Sequence, residues 1–123
     1  MIIYLSGPMS GYPQFNFPEF HRCAGILRSA GYVVLSPAEF FGDTPDAVTL
    51  SRATVLRMDI HALLQVEGVV VLHGWEISRG AVTEVRIAWE LGLPVYRFGT
   101  PVLPLTTEWL DGFFAPAGAA VLQ

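Results

Sequence analysis

The sequence predicts an α/β fold with a mostly parallel sheet, and three features carry that prediction. Short apolar runs (Ile2-Ile3-Tyr4-Leu5, Tyr32-Val33-Val34-Leu35, Val69-Val70-Val71-Leu72 and Pro94-Val95-Tyr96-Arg97-Phe98) alternate with stretches of helical periodicity. The third run is apolar at every position, as in a strand covered on both faces. Gly and Pro punctuate the junctions. We therefore expect four to five strands with helices on both faces of the sheet.

Each element has its own signal. Ile2 to Leu5 is the first strand, and a Gly/Pro-rich loop follows from Ser6 to Asn16. Asn16 is placed to cap a helix starting near Pro18, with Glu19 in its first turn. Phe20, Cys23, Ala24 and Leu27 form its inner stripe, and Gly31 ends it before the second strand. Residues 36–48 form a polar connection with a short turn at 38–41. A second helix starts near Thr49 or Ser51 and runs to Val66, with Val55, Met58, Ala62 and Val66 on its apolar face. The third strand and the loop His73 to Ile77 lead to a third helix that opens at Ser78 and stops at Gly92, with Val82, Val85, Ala88 and Trp89 inward. After the fourth strand the character changes. Thr106 to Leu110 is a capped helical start, and Phe113, Phe114 and the Ala/Gly-rich end face either the core or a second subunit.

Composition limits the function. At 123 residues and 52% hydrophobic the chain fits one domain, read as residues 1–123 with a core over 1–98 and an extension over 99–123. The net charge is −4 and all seven cations are arginines, which argues against a nucleic-acid polymer but leaves a nucleotide monomer open. Without lysine there is no Schiff base and no P-loop lysine. No apolar run approaches the roughly 20 residues that span a bilayer. The start reads as a strand rather than a leader, so a cytoplasmic protein is expected, with no membrane partner. Cys23 is the single cysteine and reads as a small core residue. His61 and His73 have neither partner nor spacing for zinc, so no metal is expected.

The chemistry gathers at two loops, 6–16 and 73–80. Both follow strand C-termini, where open α/β sheets bind ligands. Ser78, Arg79 and Gly80 open a helix, a place that favours an anion. Ser78 suits both a phosphate contact and a helix cap, and Arg79 suits a phosphate or Glu76. Glu84, one turn further in, is expected to be ionised near the helix N-terminus. It is either a nucleophile for an anomeric carbon or a dipole-complementing glutamate. Asp59 is a poor helix-interior residue. It either faces inward to assist a leaving group or pairs at the surface with Arg52 or Arg86. Tyr4 ends the first strand as a site hydroxyl or a core aromatic. Trp75 with Tyr12, Phe15 and Phe17 is suited to sandwich a planar base, or to plain loop packing. Ser6 to Gly11 is Gly-rich without matching a dinucleotide fingerprint.

Several of these segments, in order and spacing, resemble the nucleoside 2-deoxyribosyltransferase-like superfamily, in particular a bacterial and phage branch related to 2′-deoxynucleoside 5′-phosphate N-hydrolases. They are Ile3 to Gly11, Asn16-Phe17-Pro18, Arg57 to Leu64, Gly74 to Glu84, and Ala88 through Pro94, so the likeness covers about residues 1–98. The resemblance implies a Rossmann-like three-layer sandwich and cleavage or exchange of N-glycosidic bonds in deoxynucleosides or their 5′-monophosphates. It implies Glu84 as nucleophile, Asp59 as the residue assisting the base or orienting the sugar, and Tyr4 as the strand-one tyrosine. It also implies Ser78 as a phosphate contact. Ser6, Gly7, Met9, Arg79, Gly80 and Trp75 are the further residues expected around the substrate. The resemblance further implies no cofactor and a homo-oligomer with sites near subunit interfaces. The sequence departs from that pattern in its first loop, where Pro8-Met9-Ser10 stands in place of an arginine-bearing phosphate loop, and at His73-Gly74-Trp75, where the transferases have an aspartate-rich loop. These departures motivate an alternative, a nucleotide sensor that binds in the same pocket without turnover. An assembly role for the Phe113-Phe114 tail is a third reading.

Overall fold

A computed structural model describes residues 1–40 and 50–115. They form an α/β fold whose five-stranded sheet has the order β2-β1-β3-β4-β5. The first four strands are parallel: β1 (Ile2–Ser6), β2 (Val33–Leu35), β3 (Gly68–Val71) and β4 (Val95–Arg97). β5 (Leu103–Leu105) pairs antiparallel with β4. The helices are α1 (Phe17–Ser29), α2 (Arg52–Leu63), α3 (Arg79–Glu90) and α4 (Thr107–Phe114). None of these described helices is long and apolar enough to cross a membrane.

The central strand β1 is matched to both neighbours, with Tyr4 opposite Leu35 on one side and Val69 on the other. Its side chains alternate between two hydrophobic clusters, as the two-residue period of a strand requires. Ile3 and Leu5 join Val70, Leu72 and the inner stripe of α1. Tyr4 joins Val69, Val71, Ala62 and Leu63 of α2, and Val85 and Ala88 of α3. Phe20, Cys23, Ala24 and Leu27 are all buried, as their spacing foretold. Burial also pushes the Cys23 thiol up to about 12, so it stays a neutral packing group.

Helix caps follow the sequence in three of four cases. Ser51, Ser78 and Thr106 each accept a hydrogen bond from the backbone N–H three residues on. Asn16 does not. It occupies the cap position of α1 in a left-handed conformation, and its amide donates instead to the Pro8 carbonyl at 2.9 Å. Gln14, Phe15 and Asn16 all have positive φ, a conformation that costs non-glycine residues about 1–2 kcal/mol each. The Asn16–Pro8 bond and a Phe15 N–H bond to the Tyr12 carbonyl hold that turn.

The C-terminal extension joins the core. Leu110 and Phe114 are buried in the same cluster as Tyr4, and Trp89 donates to Asp111 at 2.8 Å. Phe113 packs against Trp75, so the described part of the tail is engaged within its own chain. The Ala/Gly-rich end, the proposed start at Thr49 and residue 41 of the proposed turn lie outside the described residues. β5 has no counterpart in the sequence expectation: Pro104 sits at its centre, which a sheet edge tolerates.

Where β1 leaves the sheet, a Cβ on Gly7 would lie 2.9 Å from the Leu72 Cβ. The loop can enter the site only because this residue has no side chain. Gly7→Ala is expected to destabilise the fold by about 1–3 kcal/mol through overpacking. Chemical denaturation would register this as a lower midpoint with an unchanged slope.

Candidate active site

Three elements converge on one carboxylate. β1 directs Tyr4 and Ser6, two residues apart, to the same face. α3 brings Glu84 over that face. The Tyr4 hydroxyl donates to Glu84 Oε2 at 2.9 Å, and the Ser6 hydroxyl donates to Oε1 at 2.7 Å. α2, packed beside α3, brings Asp59 alongside, and the Glu84 and Asp59 side chains each retain only 6% exposure. Asp59 Oδ1 is buried and has no hydrogen-bond partner among the described residues.

This geometry sets the protonation states. Burial raises the pKa of Glu84 well above the usual carboxylate range, and neighbouring Asp59 raises it further. The bonds from Ser6 and Tyr4 pull it back down. Burial raises Asp59 as well. Two buried carboxyls side by side do not both ionise readily, so the pair retains one proton above the pH at which an ordinary carboxyl loses it. The contact between the two carboxyls raises Glu84 and lowers Asp59, so the shared proton rests on Glu84. The hydroxyls of Ser6 and Tyr4 donate to Glu84 and oppose this, favouring its ionised form when the proton passes to Asp59. Burial, then Glu84 and Asp59, raise Tyr4 well above its ordinary value, so it remains a donor.

The expectation that Glu84 is simply ionised by the helix terminus is therefore corrected. Glu84 is the sixth residue of α3, past the first turn where the dipole acts, and its surroundings are set by β1 and α2. The surface ion-pair reading of Asp59 also fails: Asp59 is buried, and it pairs with neither Arg52 nor Arg86 among the described residues.

Glu84 and Asp59 line a cavity of about 660 Å³, a volume that suits a small-molecule ligand. Ser78, Arg79 and Gly80 at the start of α3 form one wall, and Arg52 at the start of α2 stands near them. Gly7, Met9, Tyr12, Phe15 and Phe17 supply the first-loop side. Gly7, Met9, Ser78, Arg79 and Gly80, expected around a substrate, thus line this cavity. Ser78 caps α3 with its hydroxyl and faces the cavity as well. Arg79 is exposed and forms no ion pair with Glu76 among the described residues.

Two expected substrate contacts lie elsewhere. Ser6 is fully buried behind Glu84 and holds it, rather than facing the cavity. Trp75 is 2% exposed and packs on Phe113 and Trp109, with ring centroids 5.2 and 5.9 Å away. The α4 aromatics cover the ring that was expected to stack on a base. Arg52 is the cavity residue the sequence reading missed as a ligand contact. Its Nη2 reaches Thr83 Oγ1 at 3.4 Å, which lays its guanidinium along the start of α3. The signal was available, because Ser51 caps α2 and puts Arg52 first in that helix. No set of three or more His, Cys, Asp or Glu among the described residues is arranged to hold a metal ion.

Residues 1–97 match DUF4406, a domain of unknown function. The chain belongs to the DUF4406 family. All four residues of the Tyr4–Ser6–Asp59–Glu84 cluster lie inside this DUF4406 region. No curated protein matches the sequence. Among solved structures the DUF4406 chain is similar to a conserved protein from Enterococcus faecalis V583, at 19% identity and a TM-score of 0.64, over 95% of this chain and 76% of that one. At that identity the likeness is one of fold.

Proposed function

We propose that this DUF4406 protein cleaves or exchanges the N-glycosidic bond of a 2′-deoxynucleoside or its 5′-monophosphate, with Glu84 as nucleophile. The observation that carries the reading is the convergence of Tyr4, Ser6 and Asp59 on a buried Glu84 at a cavity wall. It is supported by the likeness of the ordered motifs to the deoxyribosyltransferase-like superfamily. On the same reading the fold is a Rossmann-like three-layer sandwich, and the protein works in the cytoplasm as a homo-oligomer without a cofactor.

In the first step the proton shared by the pair passes to Asp59, a Glu84 oxygen forms a bond to C1′ as the C1′–N bond breaks, and the departing base takes that proton from Asp59. In the second step the oxygen of a water, or the nitrogen of a second base, bonds to C1′ and the ester breaks. The incoming group gives up its proton to Asp59, and Glu84 recovers its charge.

Arg52 and Arg79, with the free N–H groups at the start of α3, suit a 5′-phosphate and make up for the first loop, which lacks an arginine. Arg79→Ala and Arg52→Ala are each expected to raise KM for a monophosphate about tenfold while leaving the nucleoside within about twofold. Equal losses on both substrates would show that the arginines do not contact phosphate.

The overall test is incubation with a panel of deoxynucleosides and their monophosphates, followed by detection of free base. Release of base from at least one member is expected. Calorimetric binding of a panel member that survives intact would favour the sensor reading, which rests on the altered first loop.

A further inference from the structure

We infer that Ser6 is a positioning residue for Glu84: its hydroxyl fixes the nucleophile's orientation and holds the negative charge on it. This rests on the catalytic reading of Glu84 but concerns a residue to which that reading gave a different task, substrate contact. The Ser6 hydroxyl lies 2.7 Å from Glu84 Oε1, and the side chain is fully buried. A buried hydroxyl spent entirely on a carboxylate has no role in binding a ligand from the cavity.

The backbone beneath Ser6 is rigid. β1 is flanked on both sides by parallel strands, with Ser6 opposite Val71, and the next residue, Gly7, is pressed against Leu72. Tyr4 and Ser6 therefore deliver two donors at a fixed spacing, one to each oxygen of Glu84. A glutamate with three rotatable side-chain bonds is held in one orientation on a helix that does not itself fix it.

The arrangement also suits both halves of a double displacement. When one Glu84 oxygen bonds to C1′, the other becomes the ester carbonyl oxygen and keeps its hydroxyl donor. When the ester breaks, the charge spreads over both oxygens of the carboxylate, and that donor still faces one of them. Within the cluster Ser6 is also one of the two groups that oppose the effect of burial on Glu84.

The test compares Ser6→Ala and the nearly isosteric Ser6→Cys, a weaker donor, with wild type. The first readout is the titration of the Glu84 carboxyl carbon, followed by NMR on the folded protein and assigned with Glu84→Gln. The second is the pH profile of base release. We expect the Glu84 titration to move up by about one pH unit in Ser6→Ala and by less in Ser6→Cys. We expect kcat to fall roughly ten- to hundredfold in Ser6→Ala, with KM within about twofold. An unmoved Glu84 titration overturns the inference, and so does a change in KM with kcat preserved, which would return Ser6 to substrate contact. If no panel substrate yields base, the nucleophile reading fails while the titration still decides whether Ser6 controls Glu84. If Ser6→Ala does not fold, Ser6→Cys carries both readouts, and a titration identical to wild type there counts against the inference.

Discussion

Replacing Glu84 by glutamine is expected to lower base release by at least about 10³-fold and to make the protein more stable at pH 8. The first effect follows from removing a nucleophile that no neighbour replaces. The second follows from burial. Glu84 has a folded pKa raised above its unfolded value, first by burial and then by Asp59. For such a group the folded state binds its proton more tightly than the unfolded chain does. Its contribution is fully present below the ordinary carboxylate range and is lost as pH rises through the raised pKa. An amide removes that loss: its oxygen accepts from one of the Tyr4 and Ser6 hydroxyls and its NH2 donates to the other. A higher Tm for the variant at pH 8 is the expected result. Calorimetry at pH 5 and pH 8 should show the advantage of Glu84→Gln growing with pH. A variant less stable than wild type at pH 8 would mean that the carboxylate is a net structural support rather than a strained functional group.

Asp59→Asn is expected to slow base release by about 10²- to 10³-fold, the usual reach of general acid catalysis. The pH dependence separates this role from simple support. Burial raises both carboxyls and the pair shares one proton, so the proton that Asp59 passes to the base is lost as the pH rises through the upper titration of the pair. Wild-type activity should therefore fall on the alkaline side. Asp59→Asn should lose that alkaline limb and should be least impaired on substrates whose base departs without a proton. A variant that keeps the wild-type profile at full rate would remove Asp59 from the chemistry.

Much of the site was legible because its parts obey local rules. The first apolar run carries Tyr4 near its end, the cap at Ser78 starts α3, and a helix-interior aspartate among apolar neighbours marks Asp59. What failed depended on contacts distant in sequence. The state of Glu84 was argued from its own helix, but Tyr4, 80 residues away, and Ser6, 78 residues away, enclose it. Trp75 looked like a stacking surface because nothing nearby covers it, and its cover comes from Trp109 and Phe113 on α4. β5 escaped notice because three residues with a central proline carry no periodicity, and its place depends on the open edge of β4. Arg52 was legible only as an ion-pair partner for Asp59, because its place in the cavity depends on α2 packing beside α3.

The central claim is that Glu84 carries the sugar between the two displacements. The direct measurement is mass analysis of the protein quenched in acid during turnover of a substrate identified in the panel, with peptides mapped across α3. The account predicts a peptide containing Glu84 heavier by one deoxyribosyl group, or one phosphodeoxyribosyl group for a monophosphate, that disappears when substrate is exhausted and never forms in Glu84→Gln. Base release at full rate in Glu84→Gln, or an adduct on a different residue, would contradict it.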